Sequence, residues 1–197
     1  MTTSASLLDR LKADRKADML ACFPFEFDML TGFGPVTHCE PVWLFSGAPL
    51  EPIAKDDGGG TYFLCGHGDG EDRPVLLADS EGHCGLMGAT LRDALLLMIG
   101  LSCAGEALYR EGQGRTMDEQ ALEALRAEYD AEFTEEADLE EGAIPAMRAE
   151  LLERLGLAPL PPLTELLERE RALKALQPQY ALVNEEGMLY QGGYGDD

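Results

Sequence analysis

The sequence predicts an α+β fold: a twisted, mainly antiparallel sheet flanked by helices, followed by a C-terminal helical extension and a terminal hairpin. Two observations carry this. Short β-type runs between residues 42 and 87 are separated by Gly- and Asp-rich turns too short to hold crossover helices. After Gly112 and Gly114 the pattern changes to apolar residues at helical spacing.

Taken in order, Leu7, Leu8, Leu11 and Leu20 lie among charges and predict one amphipathic first helix over residues 6–20. Pro24, Gly32, Gly34 and Pro35 break the chain. Val42-Trp43-Leu44-Phe45 then reads as a buried strand, because a compact apolar run leaves no polar face. Ile53-Ala54, Tyr62 to Cys65 and Val75 to Ala78 are further strands, each ended by turn residues such as Asp56-Asp57-Gly58 and Asp79-Ser80-Glu81-Gly82. Thr90 and Asp93 form a loose capping box that opens a helix. Its segment Ala94 to Ile99 is apolar all round, which predicts burial against the sheet.

Beyond residue 112, Thr116 and Glu119 suggest a second capping box before a helix with Leu122, Leu125, Tyr129 and Phe133 on one face. Pro145 and Gly156 bracket another helix. Leu163, Leu166, Leu167, Leu173 and Leu176 mark a last one. Tyr180–Val183 and Met188–Gln191 read as a hairpin that must dock elsewhere, since two strands alone are not stable. The style change predicts two parts, an α+β domain over residues 1–112 and an acidic helical extension over 113–197 docked on it.

Charge narrows the function classes. The 37 Asp and Glu residues against 15 Lys and Arg give a formal charge of -22, which repels phosphate backbones and anionic membranes. Direct nucleic-acid binding and a membrane partner are therefore not expected. Between Asp118 and Glu141, eleven acidic residues face one basic residue, Arg126. The start of the chain carries no leader-like pattern, with Asp9, Arg10 and Lys12 interrupting Leu7-Leu8. Five cysteines without a CxxC pair fit reduced thiols, so a cytoplasmic location is expected.

Chemical motifs are sparse. The sequence contains no GxSxG elbow, HExxH pair or Walker loop, and the expectation is of a non-enzymatic protein without catalytic residues, metal or cofactor. The strongest alternative is a thiol- or metal-dependent enzyme using Cys65, His67, His83 and Cys84. Two thiols and two imidazoles suit zinc, although adjacent residues such as His83 and Cys84 point to opposite strand faces. Cys65 and His67 also have the two-residue spacing of a nucleophile and base on one strand face. Asp56-Asp57, and Asp69 with Glu71-Asp72, are read as turns because they lack the spacing of a calcium loop. A further alternative is an acidic nucleic-acid mimic built on the 118–141 helix.

The segment from Ser46 to about Leu101 resembles the SUKH superfamily, which includes immunity-type proteins and cell-wall regulators of the SMI and KNR type. The residues that carry the resemblance are Pro52-Ile53-Ala54 leading to Asp57-Gly58-Gly59-Gly60, then Tyr62 to Cys65, Arg73-Pro74-Val75-Leu76-Leu77 and Asp79-Ser80-Glu81-Gly82. The Leu91 to Leu97 helix follows. The resemblance implies a recognition scaffold that binds and neutralises a protein toxin. A basic nuclease would be electrostatically complementary to this chain. Asp56, Asp57, Glu71, Asp72, Asp79 and Glu81, displayed in turns between strands, are the expected partner contacts.

Overall fold

In a computed structural model, residues 5–68 and 70–192 are described. Met1–Ser4, read above for a leader, and Asp69 of the acidic turn lie outside them. The fold is α+β, with a sheet that does not close on itself.

The expected single first helix is two, α1 (Leu7–Ala13) and α2 (Arg15–Cys22). Asp14 divides them: its carboxylate accepts the Lys16 and Ala17 N–H groups at 3.0 and 3.2 Å, starting a new helix where the old one ends. Leu11 and Leu20 can then both face inward although one continuous helix would not align them, and both are buried.

The main sheet contains β2 (Leu50–Lys55), β3 (Thr61–Cys65), β4 (Val75–Ala78) and β5 (His83–Gly88), antiparallel in that order. A two-residue strand, β7 (Gln191–Gly192), adds to β5 in parallel. The central strands β3 and β4 are buried throughout, so both sheet faces are covered. Val42–Leu44 forms β1, but outside this sheet: it pairs antiparallel with β6 (Leu182–Asn184). The expectation of a buried strand there is corrected, because Leu44 is buried while Trp43 is 45% exposed. A strand at the edge of the molecule needs only one apolar face, and here the second carries an aromatic ring into solvent.

Helix α3 (Leu91–Gly100) starts at Thr90, whose hydroxyl accepts the Asp93 N–H, and it is buried as its apolar circumference requires. It packs on β5 so closely that a Cβ at Gly88 would lie 2.3 Å from the Ala94 nitrogen. Glycine is required there by space.

Helices α4 (Ala104–Gly112), α5 (Glu119–Glu136), α6 (Ala143–Leu155) and α7 (Leu163–Leu176) follow. The first is not anticipated by the sequence reading. The α5 cap is also corrected: Asp118, not Thr116, accepts the Ala121 N–H, at 2.9 Å. Glu119 reaches out of its own helix and accepts the Leu163 and Thr164 N–H groups at 2.7 and 3.0 Å, holding the start of α7. A capping-box pattern cannot distinguish a carboxylate that turns back from one that serves a distant helix.

Two arginines join the C-terminal helices to the sheet layer. Arg126 on α5 and Arg148 on α6 donate to the Gly100 and Ile99 carbonyls at the end of α3, at 3.1 and 2.7 Å. Orphan carbonyls and the negative end of the helix dipole thus receive positive charge. Buried apolar residues form one cluster from Leu11 to Tyr190, continuous across residue 112.

The last chain segment turns at Asn184–Gly187, and a single bridge pairs Val183 with Leu189. A polar chain fixes it in place. Glu40 accepts the Tyr190 hydroxyl at 2.6 Å, Tyr190 lies 3.2 Å from His38 Nε2, and His38 Nδ1 lies 3.0 Å from Thr61 Oγ1 on β3. Burial lowers the His38 pKa, whereas burial together with the Glu40 carboxylate raises that of Tyr190.

Candidate functional site

The six expected contact residues do not form one patch. The β2–β3 and β4–β5 turns lie at one end of the sheet, because Thr61 pairs with Ala78 and Ala78 with Cys84. Asp56, Asp57, Asp79 and Glu81 are therefore at that end, while Glu71 and Asp72 are in the β3–β4 loop at the other. Three of the six are engaged internally. Asp56 accepts the Gly60 N–H at 2.6 Å within its own turn. Glu71 accepts the Leu7 and Leu8 N–H groups at 2.7 and 2.6 Å, capping α1 from a different part of the chain. Asp79 accepts the Glu81 and His83 N–H groups at 2.8 Å each and holds the His83 ring at 2.9 Å. Asp57, Asp72 and Glu81 are exposed.

The Cys and His residues do not converge. Cys65 and Cys84 are buried on β3 and β5 with β4 between them, His67 is on an exposed loop, and His83 is held by Asp79. Among the described residues, no group of three or more His, Cys, Asp or Glu side chains could hold a metal ion. Burial pushes the Cys65 thiol up to about 12. It is protonated at neutral pH, which is the wrong state for a nucleophile.

Two features among the described residues stand out as able to bind something. The first is the outer face of the β1–β6 ribbon. Trp43 pairs with Val183, and Val183 bridges to Leu189, so the three side chains form a row on the face opposite Leu44 and Leu182. Val183 is buried but does not belong to the main core, while Leu189 at 60% and the adjacent Phe45 at 75% and Met188 at 57% stand in solvent. Glu185 and Glu186 are exposed on the turn beside them.

A separate acidic surface covers α5 and the following turn. Glu123, Glu128, Glu132, Glu135, Glu136, Asp138, Glu140 and Glu141 are exposed, whereas Asp130 and Glu119 are turned inward. Part of the positive charge is matched within the molecule. Arg73, Arg110, Arg148, Arg154, Arg169 and Arg171 each pair with carboxylates.

The second feature is a cavity of about 480 Å³ between the sheet and the helical layer. Tyr62, Leu77 and Met87 form its sheet wall, and Leu97, Met98 and Leu101 its α3 side. Phe25, Tyr129 and Phe133 add aromatic surface. Its polar lining includes Glu26, Asp56, Glu170 and the Asp130–Arg148 pair. Of this lining the sequence marks Asp56, as a turn contact for a partner, but not the cavity, because its other residues come from segments distant along the chain and no local spacing unites them. Glu170, a charge between Leu166 and Leu173 on α7, is the one local signal.

No family model, curated protein or solved structure matches this chain significantly. Among the described residues, no helix is long and apolar enough to cross a membrane.

Proposed function

We propose that this chain is a non-enzymatic protein-binding module of the immunity type, acting by occlusion of a basic protein toxin. The observation that carries the reading is the exposed row on the β1–β6 ribbon. Trp43, Phe45, Met188 and Leu189 present aromatic and aliphatic surface to solvent on one short ribbon, the kind of anchor that supplies most of the energy in protein interfaces. Glu185 and Glu186 on the adjacent turn and the acidity of the whole chain set the sign of the partner. A net charge of -22 accelerates encounter with a basic surface and disfavours other partners. The resemblance of residues 46–101 to SUKH proteins points the same way.

Trp43 is the chain's sole tryptophan and reports directly on this surface. Co-expression with the toxin encoded beside its own gene should restore growth, and the purified complex should shift Trp43 emission to the blue. Trp43→Ala should weaken the complex at least about tenfold, as expected for an aromatic anchor. Failure to protect against any neighbouring toxin, or unchanged affinity of Trp43→Ala, refutes the reading.

A further inference from the structure

The charges lining the cavity do not balance. Among the described residues, Arg148 is the only cation lining it, and that charge is already matched: Nη1 and Nη2 donate to the two Asp130 oxygens at 2.7 and 2.6 Å, and Nε donates to the Ile99 carbonyl. The pair is buried, with side-chain exposures of 7% and 12%. Three further carboxylates line the same space. Asp56 receives the Gly60 N–H, but the Glu170 carboxylate accepts no hydrogen bond among the described residues. Burial raises the pKa of Glu170, with Lys174 one turn away acting in the opposite direction. The lining thus leaves an excess of negative charge beside a mainly apolar wall.

Volume and wall chemistry define what fits. About 480 Å³ falls within the range of small-molecule sites. Met87 and Met98 supply adaptable surface, and Phe25, Tyr62, Tyr129 and Phe133 supply aromatic rings, whose faces attract cations. Tyr129 and Glu26 are exposed as well as lining, which places the mouth on their side.

We propose that this cavity is a binding site for a hydrophobic organic cation, an amine whose ammonium group meets Glu170 while its aryl or alkyl body lies against the Met and aromatic walls. A neutral molecule of the same shape gains the apolar contacts but adds no positive charge to the Glu170 carboxylate, which accepts no hydrogen bond among the described residues. An anion meets three carboxylates and no unpaired lining cation. The cavity shares no lining residue with the β1–β6 ribbon, so this inference is independent of the protein-binding reading.

The test uses the full chain and three probes of similar shape, 4-phenylbutylamine, 4-phenylbutanol and 4-phenylbutyrate, titrated calorimetrically at pH 7. The amine should bind at least about tenfold more tightly than the alcohol, as a charge-assisted hydrogen bond provides, and the acid should bind most weakly. Glu170→Gln should remove the preference for the amine while leaving alcohol affinity unchanged. Gly105→Phe supplies a second variant: Gly105 lines the cavity on α4, and a Cβ there meets nothing within 4 Å, so the ring can occupy the space. It should weaken the amine and the alcohol alike. Equal affinities for the three probes, no saturable binding of the amine, or an amine preference that survives Glu170→Gln overturns the proposal.

Discussion

Arg148 on α6 grips Asp130 on α5 through two hydrogen bonds of 2.7 and 2.6 Å, in a position where both side chains are almost fully removed from solvent. The same guanidinium holds the end of α3 through the Ile99 carbonyl and lies 5.9 Å from the Phe25 ring centroid. One side chain therefore connects three helices and the loop before the sheet. Breaking the pair from one side leaves a buried charge unmatched. Asp130→Ala should cost about 3–5 kcal/mol in urea unfolding, whereas Asp130→Leu combined with Arg148→Met should recover a large part of that loss. Equal destabilisation of the single and double variants would refute this account.

Glu119 gives the acid limb of stability a specific origin. The Thr164 and Leu163 N–H groups, in that order of influence, hold its carboxyl below the usual carboxylate range. Its contribution is complete above the unfolded-state value near 4.5 and disappears as pH falls through the lower folded-state value. Denaturation midpoints measured between pH 7 and pH 3 should fall less steeply for Glu119→Gln than for the parent chain. Parallel curves would show that the cap is not coupled to protonation.

Thiol reactivity should follow burial. Cys39 is exposed, whereas Cys65, Cys84 and Cys103 are buried, and burial pushes Cys65 and Cys103 up to about 12 and about 11. Ellman's reagent at pH 7 should label Cys39 rapidly in the native protein and the three buried thiols only after unfolding. Cys39→Ser should remove the fast phase. Native labelling of Cys65 at the rate of Cys39 would contradict this packing.

Elements that depend on local chemistry were readable from sequence. The Tyr62–Cys65 and Val75–Ala78 strands lie where alternating turn residues place them, and Thr90 starts α3 as its hydroxyl predicts. Capping residues were harder. Asp14 starts a second helix within one amphipathic pattern, and Glu119 serves α7 across 44 positions of sequence. The turn acids Glu71 and Asp79 were equally ambiguous, since a carboxylate displayed for a partner and one accepting backbone N–H groups have the same sequence signature.

The sequence by itself determined the α+β class, the short antiparallel strands, the buried α3 helix and the strong acidity, because each follows from residue pattern over a few turns or strands. Only the tertiary structure decided that Trp43 faces outward beside Leu189, that Asp130 and Arg148 pair in the interior, and that Glu170 borders a cavity. These depend on which distant segments meet. A side chain's environment is set by neighbours far away in sequence, and neither hydrophobic period nor charge count specifies them.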